Sequence, residues 1–270
     1  MLLLFTYCLG AMGKAFIALK QKNIDVLMEA FYNVSDPASS QYGEYWTQEM
    51  IDDLVVPDDV HHLVTELNMY GIDCVQKGAA LECDDLNLAC ILNMPEMVDF
   101  IEIDVGETFM AERAYTNTGG YVGREVMLKL YNVTHNEVQN ENISVCAVEY
   151  QNAGGFNQND LEQQQMLNGE PKKKITHMVG NNQGTMLETQ LDVQMMSQVA
   201  EGVDVWYWGG EQWLYTFAVN FLDADEIPDV VSMSWGWSAR DQCSAGLGPC
   251  PGNMTSSQYL HRTNLEYVKM

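Results

Sequence analysis

Ser144-Val-Cys-Ala-Val-Glu149 opens a stretch that closes on Val230-Val-Ser-Met-Ser234, and between these two apolar runs the periodicity switches repeatedly. Residues 160–167 carry helical spacing, 175–179 read as a strand, 186–199 as a helix, 203–208 as extended chain and 211–222 as a helix again. A last helix is predicted over 256–269. Strands that alternate with helices at this spacing predict a parallel α/β sheet, because each parallel pairing needs a crossover long enough to bring the chain back.

Upstream the rhythm differs. Residues 14 to about 110 read as a small α+β unit. A helix is predicted over 23–34, with apolar residues at 24, 27, 28 and 31, and Ser35-Asp36-Pro37 stops it because a residue before proline leaves the α region. A second helix is predicted over 58–70, with Val60, Leu63, Val64 and Leu67 on one face, Asp58 or Asp59 at its start and Gly71 at its end. His61 and His62 are adjacent there, so they point in different directions and read as surface or boundary residues, not joint metal ligands. Residues 81–93 and 98–105 alternate as strands, and 116–123 reads as the linker between the two units.

Of the 270 residues, 13 are Lys or Arg and 38 are Asp or Glu, for a net charge of −25. Phosphate backbones repel such a chain, which argues against nucleic acid as a partner. The charge suits either plain solubility or an acidic compartment, where partial protonation relieves self-repulsion. The apolar run at 1–12 is too short to cross a bilayer and reads as a signal-peptide core or a truncated start. No later stretch reaches ~18 uninterrupted apolar residues, so no membrane span is expected. Seven cysteines include no CxxC, which excludes zinc-ribbon and thioredoxin-type motifs; Cys74 with Cys83, and Cys243 with Cys250, are each close enough to close a short loop in an exported chain. Sequons at Asn33, Asn132, Asn142 and Asn253 lean the same way. The basic run Lys172-Lys-Lys174 is either a solvated strand entry or a processing site.

Phosphate-binding loops, GxSxG elbows and HExxH helices are all absent. Chemistry is instead suggested by Gly184-Thr-Met-Leu-Glu188-Thr-Gln-Leu-Asp192-Val-Gln194. Glu188 and Asp192, four apart, lie one turn apart on one helix face, where like charges cost stability. Such a pair raises one pKa and holds a proton between two carboxyls, which allows proton relay in acid, where histidine is already charged. The same spacing also fits an exposed acidic face in a very acidic protein.

That helix segment, together with Pro228-Asp-Val-Val-Ser-Met-Ser-Trp-Gly236 and Val34-Ser-Asp-Pro-Ala-Ser-Ser-Gln-Tyr-Gly-Glu-Tyr45, resembles the sedolisin family of serine-carboxyl peptidases. The first looks like the family's E-x-x-L-D-V-Q/E helix, the last like the V-S-D-P-x-S-x-x-Y-G-x-Y signature of its activation propeptide. The likeness runs from about Ala15 to the end of the chain. Within the family it extends to lysosomal tripeptidyl-peptidases, through Leu19-Lys-Gln-Lys-Asn23 and a paired cysteine loop at Cys74 and Cys83.

The resemblance implies a ferredoxin-like α+β propeptide at 14–128, followed at 129–270 by a truncated, subtilisin-like, doubly wound parallel sheet. It implies a Ser-Glu-Asp triad in which Glu188 is the general base and Asp192 orients it, with peptide or protein as substrate and the propeptide blocking its own catalytic domain until acidification. It also implies a secreted or lysosomal, vacuolar setting. The family's S-G-D-S-G-A and G-T-S-x-S stretches, which hold the oxyanion aspartate and the nucleophile, do not occur in the sequence. Asn264-Leu-Glu-Tyr-Val-Lys-Met270 resembles the helix before the first of them. Half a triad cannot perform acyl transfer, so the chain alone is expected to be inactive. Calcium is expected for a full-length family member, with none on the residues present. The competing expectation is a non-catalytic, propeptide-bearing inhibitor or binding partner of a full-length relative.

Overall fold

A computed structural model describes residues 14–69, 71–84, 96–103, 122–133, 142–150, 154–200, 202–246, 250 and 254–270. The opening run, most of the expected linker, the later part of the strand expected at 81–93, Cys8, Cys90 and Asn253 lie outside the described residues. The chain forms two compact units. One combines residues up to 105 with 212–225 and 237–270; the other combines 106–211 with 226–236.

In the first unit β1 (Ala15–Leu19), β2 (Cys74–Lys77), β3 (Ala80–Cys83) and β4 (Val98–Ile103) pair antiparallel in the order β2-β3-β1-β4. Every residue of β1 is buried, so this strand is covered on both faces. Alternate residues of a strand face opposite ways. Ala15, Ile17 and Leu19 pack with Val60, Leu63 and Leu67 of α3 (Val60–Met69), and with Leu81 and Ile101. Phe16, Ala18 and Phe100 occupy the other parity. The Phe100 ring there meets Tyr215 of α7 (Leu214–Leu222) at 4.8 Å and Tyr259 of α8 (Ser256–Tyr267) at 5.5 Å. A separate small core forms where Leu27 of α1 (Ile24–Ser35) meets Ile51 and Val55 of α2 (Gln48–Val55). Thr47 caps α2 by accepting a hydrogen bond from the Met50 N–H. His61 and His62 are exposed on α3.

Cys74 and Cys83 are cross-strand partners of β2 and β3, joined as a disulfide; a second disulfide joins Cys243 to Cys250. Closing the nine-residue separation of the first removes entropy from the unfolded chain. Replacing both Cys74 and Cys83 by Ser should therefore lower stability by about 2–3 kcal/mol, read as a drop in urea midpoint at unchanged slope.

The second unit holds β5 (Ser144–Tyr150), β6 (Met178–Val179), β7 (Asp204–Glu211) and β8 (Val230–Ser232), all parallel in the order β6-β7-β5-β8. The parallel sheet expected from the alternation is present. Ala147, Val205 and Tyr207 pack with Phe156, Leu161 of α5 (Gln158–Leu167), Ile175 and Val193 of α6 (Leu187–Val199). A short helix, α4 (Arg124–Leu130), precedes this sheet, and the boundary expected at 128/129 falls inside it. The Lys172-Lys-Lys174 run is exposed, but Lys173 is built in: its Nζ donates to the carbonyls of Gly202 and Val203, and its N–H and C=O pair with Gln165.

Candidate active site

β5 is an apolar run broken by one carboxylate, Glu149, which is completely buried. The chain then turns through Gly154-Gly155. A Cβ on Gly155 would stand 1.8 Å from Asn182 Oδ1, so only glycine lets this turn approach the loop that leads into α6. That loop is tied down by Asn182 Oδ1, which accepts from Phe156 N–H at 2.8 Å, and by Met186 N–H, which donates to Gly155 O at 2.9 Å. Two residues of α6 complete the anchoring: the Thr189 hydroxyl donates to Gly154 O at 2.7 Å, and Gln190 Oε1 accepts from Asn157 N–H at 2.7 Å. The start of α6 is thereby fixed against the carboxyl end of β5.

Glu188 and Asp192 follow on α6, both partly buried. Burial is the main cause that raises the Glu188 pKa, and the Asp192 charge adds to it. Burial likewise raises Asp192, opposed by hydrogen bonds from Ser234 and Glu149. Glu149 is pushed up to about 7, first by burial and further by the charges of Asp192 and Glu188, against a hydrogen bond from Trp235 Nε1 to its Oε2 at 2.7 Å. Thr189 also hydrogen-bonds Glu149, and the hydrogen bond between the Glu149 and Asp192 carboxyls requires a proton on one of them, because an ionised carboxylate cannot donate.

Ser234 and Trp235 lie just beyond β8, and Glu149 lies near the end of β5. The cluster therefore stands at the carboxyl ends of neighbouring parallel strands, the place where open α/β sheets bind ligands. Chemically it is a graded set: a deep carboxyl that keeps its proton to near neutrality, a middle one held by two hydrogen bonds, and an outer one able to exchange protons. Glu188 and Asp192, singled out from their spacing, are brought together. Glu149, Ser234 and Trp235 were not singled out; the available signal was a glutamate inside a buried-strand run. Among the described residues no group of three or more His, Cys, Asp or Glu is placed to hold a metal ion, and no helix is long and apolar enough to cross a membrane.

Residues 13–73 match the Pro-kumamolisin activation domain. Physarolisin of Physarum polycephalum is 30% identical over 292 aligned positions, which cover 94% of this chain and 50% of that protein. Tripeptidyl-peptidase 1 of Homo sapiens is 24% identical across 93% of this chain and 52% of its own length. The chain is a sedolisin homologue. It spans about half the length of the curated sedolisin relatives it matches. The match to the activation domain falls wholly on the sequence that forms β1 to α3 of the first unit, whereas Glu149, Glu188 and Asp192 lie in the second.

Proposed function

We propose that this chain is the amino-terminal part of a serine-carboxyl peptidase precursor that hydrolyses peptide bonds at acidic pH. Residues 14–128 would serve as activation segment and 129–270 as the first part of the catalytic domain. The observation that supports this reading best is the cluster of Glu188, Asp192 and Glu149 at the carboxyl ends of parallel strands.

In the proposed reaction Glu188 takes the proton of a serine hydroxyl as its oxygen attacks the scissile carbonyl, and returns that proton to the leaving amine. Asp192 accepts a hydrogen bond from Glu188 when Glu188 is protonated, which fixes the orientation of the base. Hydrogen bonds from Ser234 and protonated Glu149 favour the charged form of Asp192, against the burial that raises its pKa. A carboxylate base suits acid, where imidazole would be charged. The serine and the group completing the oxyanion hole come from outside these residues, as do the calcium ligands that the family likeness implies. Substrates are peptides or proteins, and the activation segment occupies its own catalytic domain until maturation. The two disulfides and the acidic composition support a secreted or lysosomal, vacuolar setting.

In the full-length form, Glu188→Gln should lower kcat/KM for an internally quenched peptide at acidic pH by at least ~10³-fold while leaving the melting temperature unchanged. Asp192→Asn should be severe but less complete. Wild-type cleavage by the folded Glu188→Gln protein would overturn the assignment. The specificity is that of a tripeptidyl-peptidase or of an endopeptidase, and assaying tripeptide release alongside internal cleavage separates the two.

A further inference from the structure

We propose that Asn142 is an N-glycosylation site that is filled while the chain is still being made. The inference rests on the secretory setting proposed above. The sequon is Asn142-Ile143-Ser144, and its three residues receive opposite treatment from the fold. Asn142 is an exposed turn residue immediately before β5. Ser144 is buried as the first residue of β5, and its hydroxyl is fully engaged: it donates to Asp229 Oδ2 at 3.0 Å and accepts the Asp229 N–H at 3.1 Å. The Ser144 N–H donates to the same carboxylate oxygen at 2.8 Å, and Ile143 O accepts from Asp204 N–H at 3.2 Å. Once β5 has paired with β7 and β8, the hydroxyl that a transferase must read is no longer on offer.

Chain order resolves the conflict. Asp229 lies 85 residues after Ser144. At synthesis rates of ~5–20 residues per second, about 4–17 s pass before the residue that locks the sequon exists. During that window Asn142 and Ser144 are part of an open chain. Afterwards a glycan on Asn142 remains compatible with the fold, because the asparagine stays on the surface. Asn33 differs: it is half-buried in the last turn of α1.

The step needs a lipid-linked oligosaccharide diphosphate as donor. The Asn142 amide nitrogen forms a bond to C1 of the first sugar as the C1–O bond to the diphosphate breaks. The lipid diphosphate leaves with the electron pair, the amide nitrogen gives up one proton to the transferase, and nothing is oxidised or reduced.

The test places the whole chain behind a cleavable secretory leader in eukaryotic cells, so that delivery to the lumen does not depend on the natural N-terminus. Mass spectrometry of the peptide containing Asn142 should find glycan on the majority of molecules, and none in Asn142→Gln or Ser144→Ala. Chain secreted while donor synthesis is blocked, then offered transferase-bearing membranes, should stay unmodified at Asn142. An unmodified Asn142 in chain whose two disulfides have formed would overturn the glycan while leaving the secretory setting intact. Equal modification of the folded chain would overturn the timing. Whether the chain reaches the lumen with its own N-terminus is a separate readout and decides only the secretory reading.

Discussion

Arg262→Met should destabilise the first unit by about 3–5 kcal/mol, a large part of the 5–15 kcal/mol that typically separates folded from unfolded domains. Arg262 sits on α8 and is only 4% exposed. Its Nε reaches Asp99 Oδ2 at 3.2 Å; Nη2 donates to Leu19 O at 3.1 Å and to Ala79 O at 3.2 Å; Nη1 pairs with Glu266; and the guanidinium lies over the Tyr215 ring. One side chain thus binds α8 to the backbone of β1, to β4 and to α7. Burial by itself would raise the Glu266 pKa, but Lys269 and Arg262 outweigh it and hold the carboxyl below its usual range.

Methionine keeps much of the stem volume and discards the charge. It leaves Glu266 with Lys269 and Gln21 and removes both guanidinium donors from Leu19 O. The cost comes from stranded polar groups, not lost area. Urea unfolding of the whole chain measures it. A midpoint shift worth less than ~0.5 kcal/mol for the single variant would show that water or rearrangement replaces the guanidinium. Because Glu266 is held low, its contribution persists in mild acid and fades only as pH falls through its depressed folded value.

Glu149→Gln should act in the opposite sense and depend on pH. Burial, with the charges of Asp192 and Glu188, raises Glu149 from 4.5 to about 7 in the folded state. Between those values the folded protein holds a proton that the unfolded chain has released, so wild-type stability falls as pH rises through this window. The separation corresponds to about 3 kcal/mol. Gln imitates the neutral acid and cannot ionise. The variant should match wild type below pH 4.5 and exceed it by about 3 kcal/mol above pH 7. Urea midpoints collected across this range test it; parallel pH curves for the two proteins would mean that Glu149 keeps its charge when folded.

The parallel sheet was legible because each βα step announces itself locally: a short apolar run, a turn, then a helical period. The carboxyl pair on α6 was legible for the same reason, since i and i+4 share a face wherever a helix forms. The small elements were not. β1 is five residues, α2 buries only Ile51 and Val55, and β6 shrinks from the expected 175–179 to Met178–Val179, all too short for periodicity to speak. Glu149 was hidden by its own strand, where a single carboxylate among apolar residues gives no sign of which neighbours it will meet.

By itself the sequence determined the class of each half, α+β before parallel α/β, and the face shared by Glu188 and Asp192, because these follow from residue spacing along the chain. Tertiary structure alone decided that α7 and α8 pack with the N-terminal sheet. α7 is apolar nearly all round and would suit any core, whereas α8 reads as a polar surface helix until Asp99, Leu19 and Ala79 surround Arg262. Tertiary structure also decided that Glu149 and Trp235, 86 residues apart, would join the carboxyl pair. Burial and long-range pairing depend on which surfaces meet, and no local period encodes that.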